Sequence, residues 1–383
     1  MIRFEHVTKV YPDGTKAIDD ISFDVPEGRL CILVGPSGCG KTTSMKAINR
    51  LIPVSAGKIE IGGRDITRVD VNELRRSIGY VIQEIGLFPH MTVQQNIETV
   101  PALKGWTKER RRKRAHELLE LMGMDPDQYL GSFPSELSGG QRQRVGVARA
   151  MGADPEYMLM DEPFGAIDPI TRERLQDEFL KIQAKLKKTI IFVTHDINEA
   201  IKMGDKIALM KDGKLIQYDD PATLLAHPVN RFVRDFVGAD RTLKQLRLVR
   251  VRNATYQTEV PTCSVKDEAV AVQQRMSQAG ASFLPVLDDR QRVCGWLTVG
   301  NLAGESLNGL RVRDVYTQGW RAVSLDTPLH EALSAMLGND SAKLPITDEG
   351  GRLEGILTFE AIQQVVGSNA SQRTASATED VAK

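Results

Sequence analysis

The nine residues Gly35-Pro36-Ser37-Gly38-Cys39-Gly40-Lys41-Thr42-Thr43 fit the pattern G-x-x-x-x-G-K-S/T. Glycines at this spacing let successive backbone N–H groups turn toward one anion. A helix opening directly afterwards adds the positive end of its dipole. In such a loop the lysine, here Lys41, reaches the β- and γ-phosphates of a nucleotide, and the hydroxyl of Thr42 ligates Mg2+. A second pair able to do chemistry, Asp161-Glu162, follows the apolar stretch Tyr157-Met158-Leu159-Met160. Carboxylates at the end of a buried strand are fixed at the sheet edge where ligands bind. Asp161 suits Mg2+, directly or through water, and Glu162 suits the polarising of an attacking water. His195 follows a third apolar stretch, Thr189–Thr194, and on the same sheet edge it can face the γ-phosphate.

These residues need a frame to bring them together. Leu30–Val34, Tyr157–Met160 and Thr189–Val193 read as buried strands, and Thr42–Asn49, Thr171–Lys187 and Asp196–Met203 as helices. Strands alternating with helices predict parallel βαβ units over about the first 240 residues. Thr107–Gly123 reads as an amphipathic helix with a threonine start and a glycine stop. Its run Lys108–Arg114 is either a solvated basic face or a contact for nucleic acid or lipid headgroups.

The second half holds an internal repeat. Ser264, Met276, Pro285, Gly295 and Thr298 recur sixty positions later as Ser324, Met336, Pro345, Gly355 and Thr358. Two copies in one register predict two like units packed together. Each runs helix (Glu268–Gln278, Leu329–Gly338), strand, turn, strand.

Composition narrows the class. The chain has 383 residues, too many for one ordinary domain. Lys plus Arg and Asp plus Glu each total 50, so the formal net charge is zero. That removes the overall electrostatic case for nucleic acid or an anionic membrane as the main partner. No apolar run approaches the length of a membrane helix, and the N-terminus lacks the apolar core of a signal peptide. Cys31, Cys39, Cys263 and Cys294 have no metal-ligand spacing, and a reducing, cytoplasmic compartment is expected.

Leu137-Ser138-Gly139-Gly140-Gln141 stands 24 residues before Glu162. With the phosphate loop, this stretch resembles the signature of the nucleotide-binding subunits of ABC transporters. Physically, Ser138 would cap a helix whose glycine-opened N-terminus can accept a γ-phosphate. The resemblance implies a P-loop ABC ATPase domain, a mixed α/β sheet with a helical subdomain, and ATP with Mg2+ as its ligands. It implies that Tyr11 stacks on adenine and that Gln83 senses Mg2+ and couples to the membrane partner. Asp168, in Phe164-Gly165-Ala166-Ile167-Asp168, takes the place of the D-loop aspartate, with Ile167 where the family usually has leucine. In the family the signature serves another copy's phosphate loop. Two chains are therefore expected to pair head to tail around two ATP molecules, with Ser138, Gly139, Gly140 and Gln141 acting in trans.

The repeat resembles a tandem pair of CBS modules, an α/β domain. The expected organisation is an ATP-binding domain at 1–237 with its helical subdomain at about 84–155, a linker at 238–251, modules at 252–303 and 304–367, and a disordered polar tail at 368–383. Nucleotide-binding CBS modules often carry an acidic residue three after the threonine. Here Asn301 and Ala361 stand there. Ligand or ionic sensing on one side, and dimer contact or another structural use on the other, both remain open for the pair.

An ABC ATPase followed by paired CBS modules resembles the quaternary-amine importers, the osmoprotectant uptake systems. That resemblance implies a homodimer bound to permease subunits at the cytoplasmic face of the membrane, an extracytoplasmic substrate-binding protein reached through the permease, and glycine betaine, carnitine or choline as substrate. The competing readings are an ABC importer for another amino acid or small solute, a soluble ABC ATPase acting on nucleic acid, and a nucleotide sensor with a vestigial ATPase.

Overall fold

The computed structural model describes residues 1–82, 86–165, 167–303, 307–319, 321–339 and 341–365. The tail at 368–383 and Gln83 lie outside the described residues. The chain divides into two compact units after Ala239.

The first unit carries β1 (Ile2–Val10), β2 (Lys16–Val25), β3 (Leu30–Val34), β4 (Ala56–Ile61), β5 (Arg64–Asp65), β6 (Ile78–Val81), β7 (Tyr157–Asp161), β8 (Thr189–Val193), β9 (Lys206–Lys211) and β10 (Lys214–Asp219). Among the described residues they form two sheets, in the orders β2-β1-β4-β5 and β10-β9-β3-β8-β7-β6. The second sheet is parallel except for the β9–β10 hairpin. Every residue of β3, β7 and β8 is buried, which is why these strands read as unbroken apolar runs. Phe4, Ile18 and Ile21 of the first sheet share a core with Leu33, Leu159 and Ile191 of the second and with Met45 and Ile48 of the helix Lys41–Ile48.

Three helices, Val93–Leu103, Lys108–Leu121 and Gly139–Met151, pack on one another beside β6. Thr107 caps the second, its hydroxyl accepting from the Arg110 N–H. Part of the basic run of that helix is answered by neighbouring groups. Arg111 pairs with Glu98 at 3.3 Å and Arg114 with Asp154 at 3.3 Å, and the Arg110 guanidinium lies 3.6 Å from the centre of the Trp106 ring. The long helix begins at Pro169 rather than Thr171, because Asp168 caps it and proline suits the first helical position.

In the second unit the residues expected as a linker hold a helix, Arg241–Leu248. Its Leu246 enters the core, and its Lys244 pairs with Asp240 at 2.8 Å. The repeat is visible strand by strand in β11 (Cys263–Ser264), β12 (Phe283–Leu287), β13 (Val293–Thr298), β14 (Lys343–Thr347) and β15 (Leu353–Thr358). β12 pairs with β13 from Phe283 opposite Thr298, and β14 with β15 from Lys343 opposite Thr358. The register shifts recur at Val286/Leu287 and Ile346/Thr347.

Each copy is completed by the segment that precedes the other. Leu246, Val251 and Ala254 pack with Val323, Leu344 and Leu357, while Leu307 and Val312 pack with Val272, Leu284 and Leu297. Gln257 pairs with Ile356, and Thr317 with Trp296, by backbone hydrogen bonds. This close approach explains the repeated glycines. A Cβ on Gly355 would lie 2.6 Å from the Gln257 carbonyl oxygen, and one on Gly295 would lie 2.3 Å from that of Thr317.

Candidate active site

The buried strand β3 delivers the chain into the phosphate loop, and the helix Lys41–Ile48 takes it away. Gly40 sits at φ +103°, and a Cβ there would lie 2.4 Å from the Ala17 carbonyl oxygen. On Gly35 it would lie 2.1 Å from that of Met210. Glycine is therefore required at both ends of the loop. Pro36, Ser37 and Gly38 form the exposed crest, Cys39 is buried, and Thr43 is half-buried on the first helical turn. The Lys41 ammonium donates to the carbonyl oxygens of Gly35 and Pro36 at 2.8 and 2.9 Å. Burial pushes the Cys39 thiol up, against the nearby Lys41.

β7 lies two places from β3 in the same sheet and brings its carboxylates to the loop. Thr42 Oγ1 donates to Asp161 Oδ1 at 3.2 Å. Asp161 is buried, and burial holds its carboxyl above the usual carboxylate range while the Thr42 hydroxyl pulls it back. Two hard oxygen donors meeting beside a phosphate loop fit Mg2+. Glu162 follows the strand in a left-handed backbone, φ +44°, with its N–H on the Val193 carbonyl. That turn takes its side chain out of the strand's alternation. His195 Nδ1 lies 3.3 Å from Glu162 Oε1, and the His195 side chain is 63% exposed.

The other residues singled out from the sequence lie apart from this group. Tyr11 is half-buried at the turn between β1 and β2, its N–H on the Thr15 carbonyl, and Lys9 lies 5.3 Å from the centre of its ring. Ser138 caps the helix Gly139–Met151 in a reciprocal capping box with Gln141. Gln141 also donates to the Tyr129 hydroxyl at 3.0 Å. Ser138 and Gly139 are exposed and Gly140 half-buried, so this helix start is open to an anion. Asp168 is exposed and accepts from the Thr171 N–H at 3.0 Å, and that hydrogen bond lowers its carboxyl. The sequence reading missed Thr194, Gln176 and Glu199, three buried polar residues behind His195. No spacing rule in one sequence marks them, since they come from a loop and two helices.

Taken together, these groups can bind a polyphosphate, hold a divalent cation and activate a water. The ABC transporter family pattern matches residues 18–165, and the CBS domain pattern matches residues 312–367, within the second repeat. The glycine betaine/carnitine/choline transport ATP-binding protein OpuCA of Bacillus subtilis is 45% identical over 368 residues, 96% of each chain. The osmoprotectant import ATP-binding protein OsmV of Salmonella typhimurium is 41% identical over 387 residues, 97% of this chain and 98% of that one. Among solved structures, dimeric MJ0796, a bacterial ABC transporter cassette, matches with a TM-score of 0.53 and 35% identity, over 58% of this chain and 99% of that chain. A phosphate loop facing a strand-end carboxylate pair, in a chain this similar to those proteins from end to end, means that it belongs to the family of ABC transporter ATP-binding proteins with CBS domains, whose named members serve osmoprotectant uptake.

Proposed function

We propose that this chain hydrolyses ATP to energise the import of a quaternary-amine osmoprotectant through an ABC transporter. The observation that carries the chemistry is the meeting of Lys41 and Thr42 with Asp161, Glu162 and His195 at one edge of the six-stranded sheet. The quaternary-amine assignment follows the names of the relatives, which match nearly the whole chain.

The loop N–H groups and Lys41 would take the β- and γ-phosphates. Thr42 and Asp161 would hold Mg2+, which neutralises phosphate charge when bound. Glu162 would polarise the attacking water and His195 would face the γ-phosphate. Gln83 would sense the metal and pass closure to the permease. The exposed helix start at Ser138-Gly139-Gly140-Gln141 would complete the site of a second copy, with Asp168 beside it and Tyr11 on adenine. The working assembly would be a homodimer held peripherally on permease subunits at the cytoplasmic face of the inner membrane, fed by an extracytoplasmic substrate-binding protein. In keeping with a peripheral subunit, no helix among the described residues is long and apolar enough to cross a membrane.

The ion pairs along the basic helix favour transport over action on nucleic acid. In the CBS region the Asn301 carbonyl accepts from Thr298 at 2.7 Å and its amide donates to Thr317 at 3.1 Å, while Ala361 is buried. A regulatory ligand would have to be read by other groups. The test is ATP hydrolysis by the complex reconstituted with its permease and binding protein. Stimulation by glycine betaine and not by methionine supports the reading. Stimulation by methionine alone assigns the importer to another solute.

A further inference from the structure

His195 is exposed, and its ring lies against Glu162. An exposed ring keeps its place only if its backbone does. That backbone is tied on both sides. Thr194 is buried, and its N–H donates to the Leu33 carbonyl at 3.1 Å. The Thr194 hydroxyl oxygen accepts from the Asp196 N–H at 3.0 Å, bridging over His195, and the same hydroxyl pulls the Glu199 carboxyl back down against the rise that burial causes. Asp196 in turn caps the helix Ile197–Met203, accepting from the Asn198 N–H at 2.8 Å.

Glu199 has a second partner. Gln176 Nε2 donates to Glu199 Oε1 at 2.9 Å, and both side chains are buried. Gln176 stands two turns into the helix that Asp168 caps. At the start of that helix the Arg172 guanidinium donates to the Ile167 carbonyl at 2.7 Å. One buried carboxylate therefore joins the segment carrying Asp168 to the segment carrying His195. Burying three polar groups is costly unless each is satisfied, and a satisfied buried network is rigid.

We propose that Glu199 is a positioning residue for ATP hydrolysis, holding the backbone around His195 through Thr194 and tying it to the Asp168-capped helix through Gln176. The inference rests on the ATPase reading above.

The test measures steady-state Mg-ATP hydrolysis by the full-length wild-type chain and by E199Q, T194V, T194S and K202A. The K202A variant removes an exposed link between the same two helices, Lys202 to Asp177 at 2.8 Å, and serves as the control. E199Q and T194V are expected to lower kcat about tenfold while KM for ATP stays within about twofold. T194S, which keeps the hydroxyl, is expected to retain activity, and K202A to match wild type. The E199Q/T194V double variant is expected to be no slower than the slower single, as for residues acting as one unit. Unchanged kcat in both single variants, a KM that rises in step with the loss, or losses that multiply in the double variant would each overturn the proposal. If E199Q loses its thermal unfolding transition, T194V and T194S carry the test alone. A folded wild-type chain that binds but does not hydrolyse ATP would overturn the ATPase reading and this proposal with it.

Discussion

Glu162 Oε1 and His195 Nδ1 meet at 3.3 Å across the ends of neighbouring parallel strands. Glu162 makes this contact from a left-handed backbone, φ +44°, a conformation that costs a non-glycine residue on the order of 1 kcal/mol. Strain of that kind is sustained where the surrounding structure enforces it. Here the Glu162 N–H is held by the Val193 carbonyl and the Gly165 N–H by the Glu162 carbonyl.

Replacing Glu162 with glutamine keeps the side chain's size and removes the proposed base. Hydrolysis is expected to fall by about 10²–10⁴-fold, the range of a general base, while ATP binding persists. Gel filtration with ATP should then show a trapped dimer. A monomer under those conditions would count against the head-to-tail arrangement.

Asp161→Asn separates stability from activity. The folded chain holds the Asp161 carboxyl above its ordinary value because it is buried. Ionising it therefore costs folding energy, absent below the ordinary carboxylate range and fully present once pH exceeds the raised folded value. At neutral pH the asparagine variant should melt higher, by roughly 1–3 °C, with the Thr42 hydrogen bond still accepted by its amide oxygen. Its Mg-ATP hydrolysis should be lost. A lower melting temperature at pH 7, or equal gains at pH 7 and pH 3, would contradict this account.

Gly355→Ala tests the exchanged segments of the second unit. The added methyl would meet the Gln257 carbonyl oxygen at 2.6 Å and the Tyr256 ring at 2.8 Å. The rigid strand pairing cannot yield, so a loss of about 2–3 kcal/mol is expected. Denaturant unfolding of the full chain should show it in the transition that Tyr256 fluorescence or near-UV dichroism reports. The same substitution at Gly280, where nothing lies within 4 Å but φ is +60°, should cost about 1 kcal/mol.

Much of the first unit is legible in the sequence, because its signals are local. β3 and β8 run over the same residues that their apolar runs mark, and the phosphate loop needs only the spacing of Gly35, Gly40, Lys41 and Thr42. The helix Leu329–Gly338 and the sixty-residue offset are equally local facts. The linker expectation at 238–251 met a helix, since Leu246 joins a core built mostly from residues between Val323 and Ile362, far along the chain.

The sequence by itself determined the phosphate chemistry, because residue type and spacing within one loop suffice to build an anion cradle. It also determined that the second half is a duplication. Only the tertiary structure decided that Glu162 turns left-handed toward His195, that each repeat is closed by the segment before the other, and that Gln176, Glu199 and Thr194 form one buried network. Each of these joins residues far apart in the chain or in different elements. Their pairing is set by strand order, parallel register and helix packing, which no local pattern encodes.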